Sequence, residues 1–76
     1  MTTEEQKLVE KIGSTLKKLR EAKGIGLREM AIELDVDHSW LSKIENGKKD
    51  IKVVTLVKLA KALDVKASSI LLKIDY

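Results

Sequence analysis

Residues 27–47, LREMAIELDVDHSWLSKIENG, decide how the rest of the chain is read. They hold two short amphipathic segments. In the first, Leu27, Met30, Ala31 and Leu34 recur at helical spacing; in the second, Leu41 and Ile44 fall one turn apart with Trp40 beside them. Only Asp35, Val36 and Asp37 separate the two, too few for a wandering loop. Two helices joined so tightly must cross steeply. Ala31 then supplies the small side chain that a close crossing needs, and Val36 is placed to plug the corner.

Working outward, the pattern continues in both directions. Thr2 and Thr3 are each followed three residues later by Glu5 or Gln6, two overlapping capping-box patterns. They open a first helix over about 4–22, with Leu8, Ile12, Leu16 and Leu19 as its apolar stripe. Gly13 within it suits a close helix contact, and Gly24 ends it. Helices over about 27–34 and 38–45 follow, the second stopped by Gly47. A basic loop, Lys48-Lys49-Asp50, leads to a fourth helix over about 53–63, and Asp64-Val65 turns into a short fifth over about 67–73. The fold class expected is all-α: five short helices in one unit spanning 1–76, with its core over about 8–74.

Composition limits what such a chain can do. In 76 residues there is no Cys, no Pro, no Phe and one His, with a formal net charge of +3. Disulfides and thiolate metal sites are excluded, and no apolar run approaches the roughly 18 residues that span a bilayer. No membrane partner is expected, and the cytoplasm is the expected location. A nucleophile–base pair would have to use His38, which no catalytic motif surrounds, so the chain does not read as an enzyme. Asp35, Asp37 and Ser39 mimic the opening of a calcium loop, but Trp40 stands where its Gly belongs and Asn46 where its closing Glu belongs. No metal, cofactor or small-molecule ligand is expected. The positive balance, concentrated in Lys43, Lys48, Lys49, Lys52, Lys58, Lys61 and Lys66, points to a polyanion.

Two helices in tight succession with a basic flank are the pattern of a helix-turn-helix, whose second helix is offered to the DNA major groove. Met30-Ala31, Leu34, Val36, the run Leu41-Ser42-Lys43-Ile44-Glu45, Gly47 and then LVKLAKALDV at 56–65 resemble the lambda-repressor-like, or xenobiotic-response-element, helix-turn-helix domains over roughly residues 10–72. The resemblance implies a compact five-helix bundle and a transcription regulator, many such proteins binding two-fold operators as homodimers. It also implies an ion pair between Arg20 and Glu45. Three positions depart from the family pattern: Leu27 replaces a polar residue, often Gln; Asp35 replaces the turn Gly; Ile51 replaces a Pro.

On a wheel of about 100° per residue, Leu41 and Ile44 set the inward direction of the helix at 38–45. Ser39, Ser42, Lys43 and Asn46 then point outward, His38 to one side, Trp40 and Glu45 at the margins. His38, Ser39, Ser42 and Lys43 are the expected base contacts. Leu27 (through its backbone N–H only), Trp40, Asn46, Lys48, Lys49 and Lys52 are the expected phosphate contacts. Asp37 reads as an N-cap. Val54, Ile70, Leu72, Ile74 and Tyr76 are surplus to one small core and are the expected interface of a homodimer on double-stranded DNA. A second reading stays open: an antitoxin-like protein-interaction module of the same fold, in which those apolar residues meet a different protein.

Overall fold

Thr2 starts the first helix. Its hydroxyl accepts from the Glu5 N–H at 3.1 Å, and its own N–H donates to Glu5 Oε1 at 2.8 Å. The bond from the Thr2 N–H, helped by the nearby Thr2 hydroxyl, favours the carboxylate and lowers the Glu5 pKa. Of the two overlapping capping patterns, the Thr2–Glu5 box is the one that forms. In a computed structural model describing residues 1–76, the elements in order are α1 (Thr3–Ala22), α2 (Leu27–Leu34), α3 (His38–Glu45), α4 (Val53–Ala62) and α5 (Ala67–Lys73), with no strand.

One device ends all five helices. Gly24, Asp35, Gly47, Asp64 and Asp75 adopt left-handed backbone conformations, with φ between 56° and 75°. In each case the next N–H reaches back across the last turn: Ile25 to the Arg20 carbonyl, Val36 to Ala31, Lys48 to Lys43, Val65 to Ala60 and Tyr76 to Leu71, at 2.8–3.2 Å. This is the Schellman closure, which satisfies carbonyls that would otherwise be orphaned. Ile25, Val36 and Val65, the residues just past three of these ends, fold onto the core. Val36 therefore plugs the α2–α3 corner as expected, and Asp35 carries the left-handed turn in place of glycine.

Met30, Leu41, Ile44, Leu59, Leu63 and Ile70 are almost fully buried and draw on α2, α3, α4, α5 and the α4–α5 turn. Burying each contributes about 1.5–3 kcal/mol of transfer free energy. On α1 the buried stripe is Val9, Ile12, Gly13, Leu16 and Arg20, while Leu8 and Leu19 are only half-buried. The expected stripe is thus rotated, because α3 lies against the Gly13–Arg20 side and draws that edge inward. A further correction concerns the C-terminus. Ile70 and Ile74 are 0% and 5% exposed, so they close the protomer's own core and offer no surface to a second copy.

Candidate nucleic-acid interface

Three ties hold α3 against one side of α1. At Gly13 the backbones meet: a Cβ there would lie 2.7 Å from the Glu45 carbonyl oxygen and 2.9 Å from its carbon. Arg20 donates from Nε to Glu45 Oε2 at 2.7 Å and from Nη2 to Oε1 at 2.9 Å, a two-pronged pair that is 7% and 6% exposed. The remaining Arg20 nitrogen, Nη1, donates to the Ile25 carbonyl at 2.8 Å, joining the α1–α2 turn to the same pair. Hydrogen bonding to Glu45 raises the Arg20 pKa above its ordinary value, so the guanidinium stays charged. Third, Gln6 Nε2 donates to the Gly47 carbonyl at 2.8 Å and to Glu10 Oε2 at 2.9 Å. Gly47 can pack there only without a side chain, since a Cβ would fall 2.6–2.7 Å from Glu10. Gln6 to Arg20 spans ~21 Å of α1, and all three ties converge on the C-terminal end of α3, at Glu45 and Gly47.

The outer side of α3 is left open. Ser39, Lys43 and Asn46 are exposed, His38 and Ser42 partly so, while Leu41, Ile44 and Glu45 face inward. The wheel assignment therefore matches the geometry except at Glu45, set at the margin by the wheel and drawn inward by Arg20. Trp40 packs its ring against the core, between Leu34, Val36 and Leu59, and also faces Lys49, Lys52 and Thr55. No buried side-chain nitrogen or oxygen lacks a partner and the indole N–H has none within the chain, so it reaches solvent. Lys43, Lys48, Lys49 and Lys52 are exposed and form no ion pair.

Hydrogen bonds tune this surface in ways the wheel did not reveal. Asp37 occupies the N-cap position of α3 but makes no capping hydrogen bond. Its carboxylate instead accepts from the Ser39 hydroxyl two residues on, a competing local donor. That bond lowers the Asp37 pKa, helped by His38 (Nδ1 3.9 Å from Oδ1) and by the nearby N–H groups of Ser39 and Trp40. Ser39 has thus committed its proton and presents lone pairs outward. At the other end, Asn46 Nδ2 donates to the Ser42 carbonyl at 2.9 Å and to Ser42 Oγ at 3.2 Å, leaving the Ser42 hydroxyl proton and the Asn46 carbonyl oxygen uncommitted. The face therefore offers acceptors at Ser39 and Asn46 and donors at Ser42 and Lys43.

Leu27, at the start of α2, is half-buried and packs its side chain against the core. The Glu29 carboxylate is spent on the Gly26 N–H at 3.3 Å. Sequence reasoning missed Arg28, which is exposed and shares a shallow cleft with Val36, Asp37 and His38. Its nearness to the start of α3 comes from the α2–α3 crossing, which no local pattern announces. Gln6 was missed for the same reason: its partner is 41 residues away. Among the residues assigned to an interface between copies, Val54, Leu72 and Tyr76 are 66%, 73% and 68% exposed, joined by Val53 and Val57 on α4.

A family description, the helix-turn-helix domain, matches residues 11–69. The chain is 33% identical over 66 residues to the control protein C.MunI from a Mycoplasma species, which covers 86% of this chain and 89% of that one. It is 33% identical over 69 residues to the HTH-type transcriptional repressor RghR from Bacillus subtilis, covering 90% of this chain but 51% of that protein. Among solved structures, the restriction-modification controller protein C.AhdI from Aeromonas hydrophila superposes with a TM-score of 0.76 at 32% identity, covering 82% of this chain and 94% of that one. The clp gene regulator ClgR from C. glutamicum gives a TM-score of 0.83 at 32% identity, covering 87% and 86% respectively. No helix is long and apolar enough to cross a membrane. With the two crossing helices in place and a match running through most of its length, the chain belongs to the helix-turn-helix domain family, as a DNA-binding regulator of the lambda-repressor-like kind.

Proposed function

We propose that the chain acts as one unit and as a repressor, binding a two-fold operator as a homodimer with α3 in the major groove. The observation that carries this reading is the outer side of α3: Ser39 and Lys43 open to solvent, His38 and Ser42 partly so, on a helix held rigidly by Gly13, Arg20 and Gln6. A surface fixed in this way loses little conformational freedom on binding, and its mixed donors and acceptors suit base edges. Lys43 donates to guanine, and Ser42 and the Ser39 lone pairs meet complementary edges. Lys48, Lys49 and Lys52, with the Trp40 indole and the Leu27 N–H, meet phosphates and set register. Control proteins and a transcriptional repressor among the relatives support the regulatory role. The role is one of binding, not catalysis, and belongs in the cytoplasm, where bacterial DNA lies.

Selection of bound duplexes from a random pool, followed by fluorescence anisotropy on the selected site, tests the reading. Lys43→Ala is expected to relax preference at one base pair, by about 1–3 kcal/mol of discrimination. Lys48→Ala with Lys49→Ala is expected to weaken all sequences alike and to flatten the salt dependence. If Lys43→Ala and Ser39→Ala both leave the selected sequence unchanged, α3 does not read the bases.

A further inference from the structure

We infer that Arg28 is a phosphate clamp at the edge of the recognition surface, in the cleft where α2 meets the start of α3. The inference rests on the placement of α3 in the major groove. Three observations converge on it. Arg28 is exposed and forms no ion pair, although the Asp37 carboxylate lines the same cleft. That carboxylate is already engaged by the Ser39 hydroxyl and lies 3.9 Å from His38, so the guanidinium is uncommitted. Its neighbours offer no substitute: Leu27 packs inward, and Glu29 is acidic and bonded to the Gly26 N–H.

The chemistry selects the ligand. The cleft borders the first residues of α3, so duplex DNA seated on Ser39 and Lys43 brings its backbone past Arg28, at the margin of the surface and away from its centre. A phosphate there would meet the exposed Asp37 carboxylate, which repels it. A guanidinium in the same cleft offsets that repulsion, and its planar fork fits two phosphate oxygens at once. The contact carries no sequence information. It strengthens every duplex equally and fixes how far α3 can slide along the groove.

The test uses the full chain and a duplex selected by the wild-type protein, with anisotropy measured across a salt series. Arg28→Ala is expected to weaken binding about tenfold, the worth of one charge-assisted contact. The slope of log affinity against log salt should fall by about 0.9, with the order of preferred sequences unchanged. Arg28→Lys should restore the slope and only part of the affinity, because the fork is lost. Lys11→Ala, which removes the same charge from the outer side of α1, should do neither. Equal effects of Lys11→Ala and Arg28→Ala would mean bulk charge alone is at work, and overturn the assignment. So would an Arg28→Ala protein with wild-type affinity and slope, or one with altered preference at a single base pair. If Lys43→Ala still relaxes selectivity in those cases, α3 remains the reading helix and only the clamp is lost; a wild-type chain that selects no duplex removes both.

Discussion

Gly13 shows two residue-scale effects of opposite sign. In an exposed helix, Gly→Ala gains about 0.5–1 kcal/mol, because alanine loses less backbone freedom on folding. At Gly13 the new methyl would enter the backbone of α3 at Glu45, and backbone cannot swing aside as a side chain can. Overpacking of this kind costs about 1–3 kcal/mol and outweighs the gain in propensity. Gly13→Ala is therefore expected to lower the melting temperature by about 10 °C, read by circular dichroism, with weaker DNA binding as α3 is pushed outward. A melting temperature equal to or above wild type would mean that the helices separate at no cost. The glycine itself was legible as a suspected contact. That its partner is the backbone at the end of α3 was not, since Gly13 and Glu45 lie 32 positions apart in the chain.

At the scale of elements, α3 cannot hold its own position. It has eight residues, too short to be stable alone, and its N-cap carboxylate bonds a side chain in preference to the helix end. Its orientation depends on neighbours, above all on the Arg20–Glu45 pair. Such a pair adds little net stability over apolar residues of similar size, yet removal of one partner strands the other charge. Arg20→Met alone or Glu45→Leu alone is expected to cost about 3 kcal/mol in urea unfolding, and the double variant clearly less than the sum. Simple additivity would show that the pair is not coupled. Helix boundaries were readable almost to the residue, because Thr2, Gly24, Asp35, Gly47 and Asp64 are stop and start signals that act locally. The buried stripe of α1 was less readable. Its apolar spacing allows several rotations, and the neighbour that chooses among them is α3.

For the whole molecule, Val53, Val54, Leu72 and Tyr76 leave apolar surface on α4 and α5 after the core is complete. Sedimentation at micromolar concentration is expected to give twice the 8.5 kDa chain mass, and Leu72→Asp with Val54→Asp to give a monomer of unchanged helicity. A wild-type monomer would remove the dimer and with it the two-fold operator. Ile70 and Ile74, grouped with these residues by hydropathy, instead seal the core, a choice that spacing in a seven-residue helix does not make. The five helices, their turns and the outward side of α3 could be read from the chain alone, because capping, left-handed turn residues and apolar period act within a few residues. Which groups on that side are already spent on one another, that Gln6 holds the turn after α3, and that Arg28 stands beside the start of α3 emerged from the folded arrangement. Those outcomes depend on contacts between segments far apart in the chain, whose meeting is set by the packing of the whole.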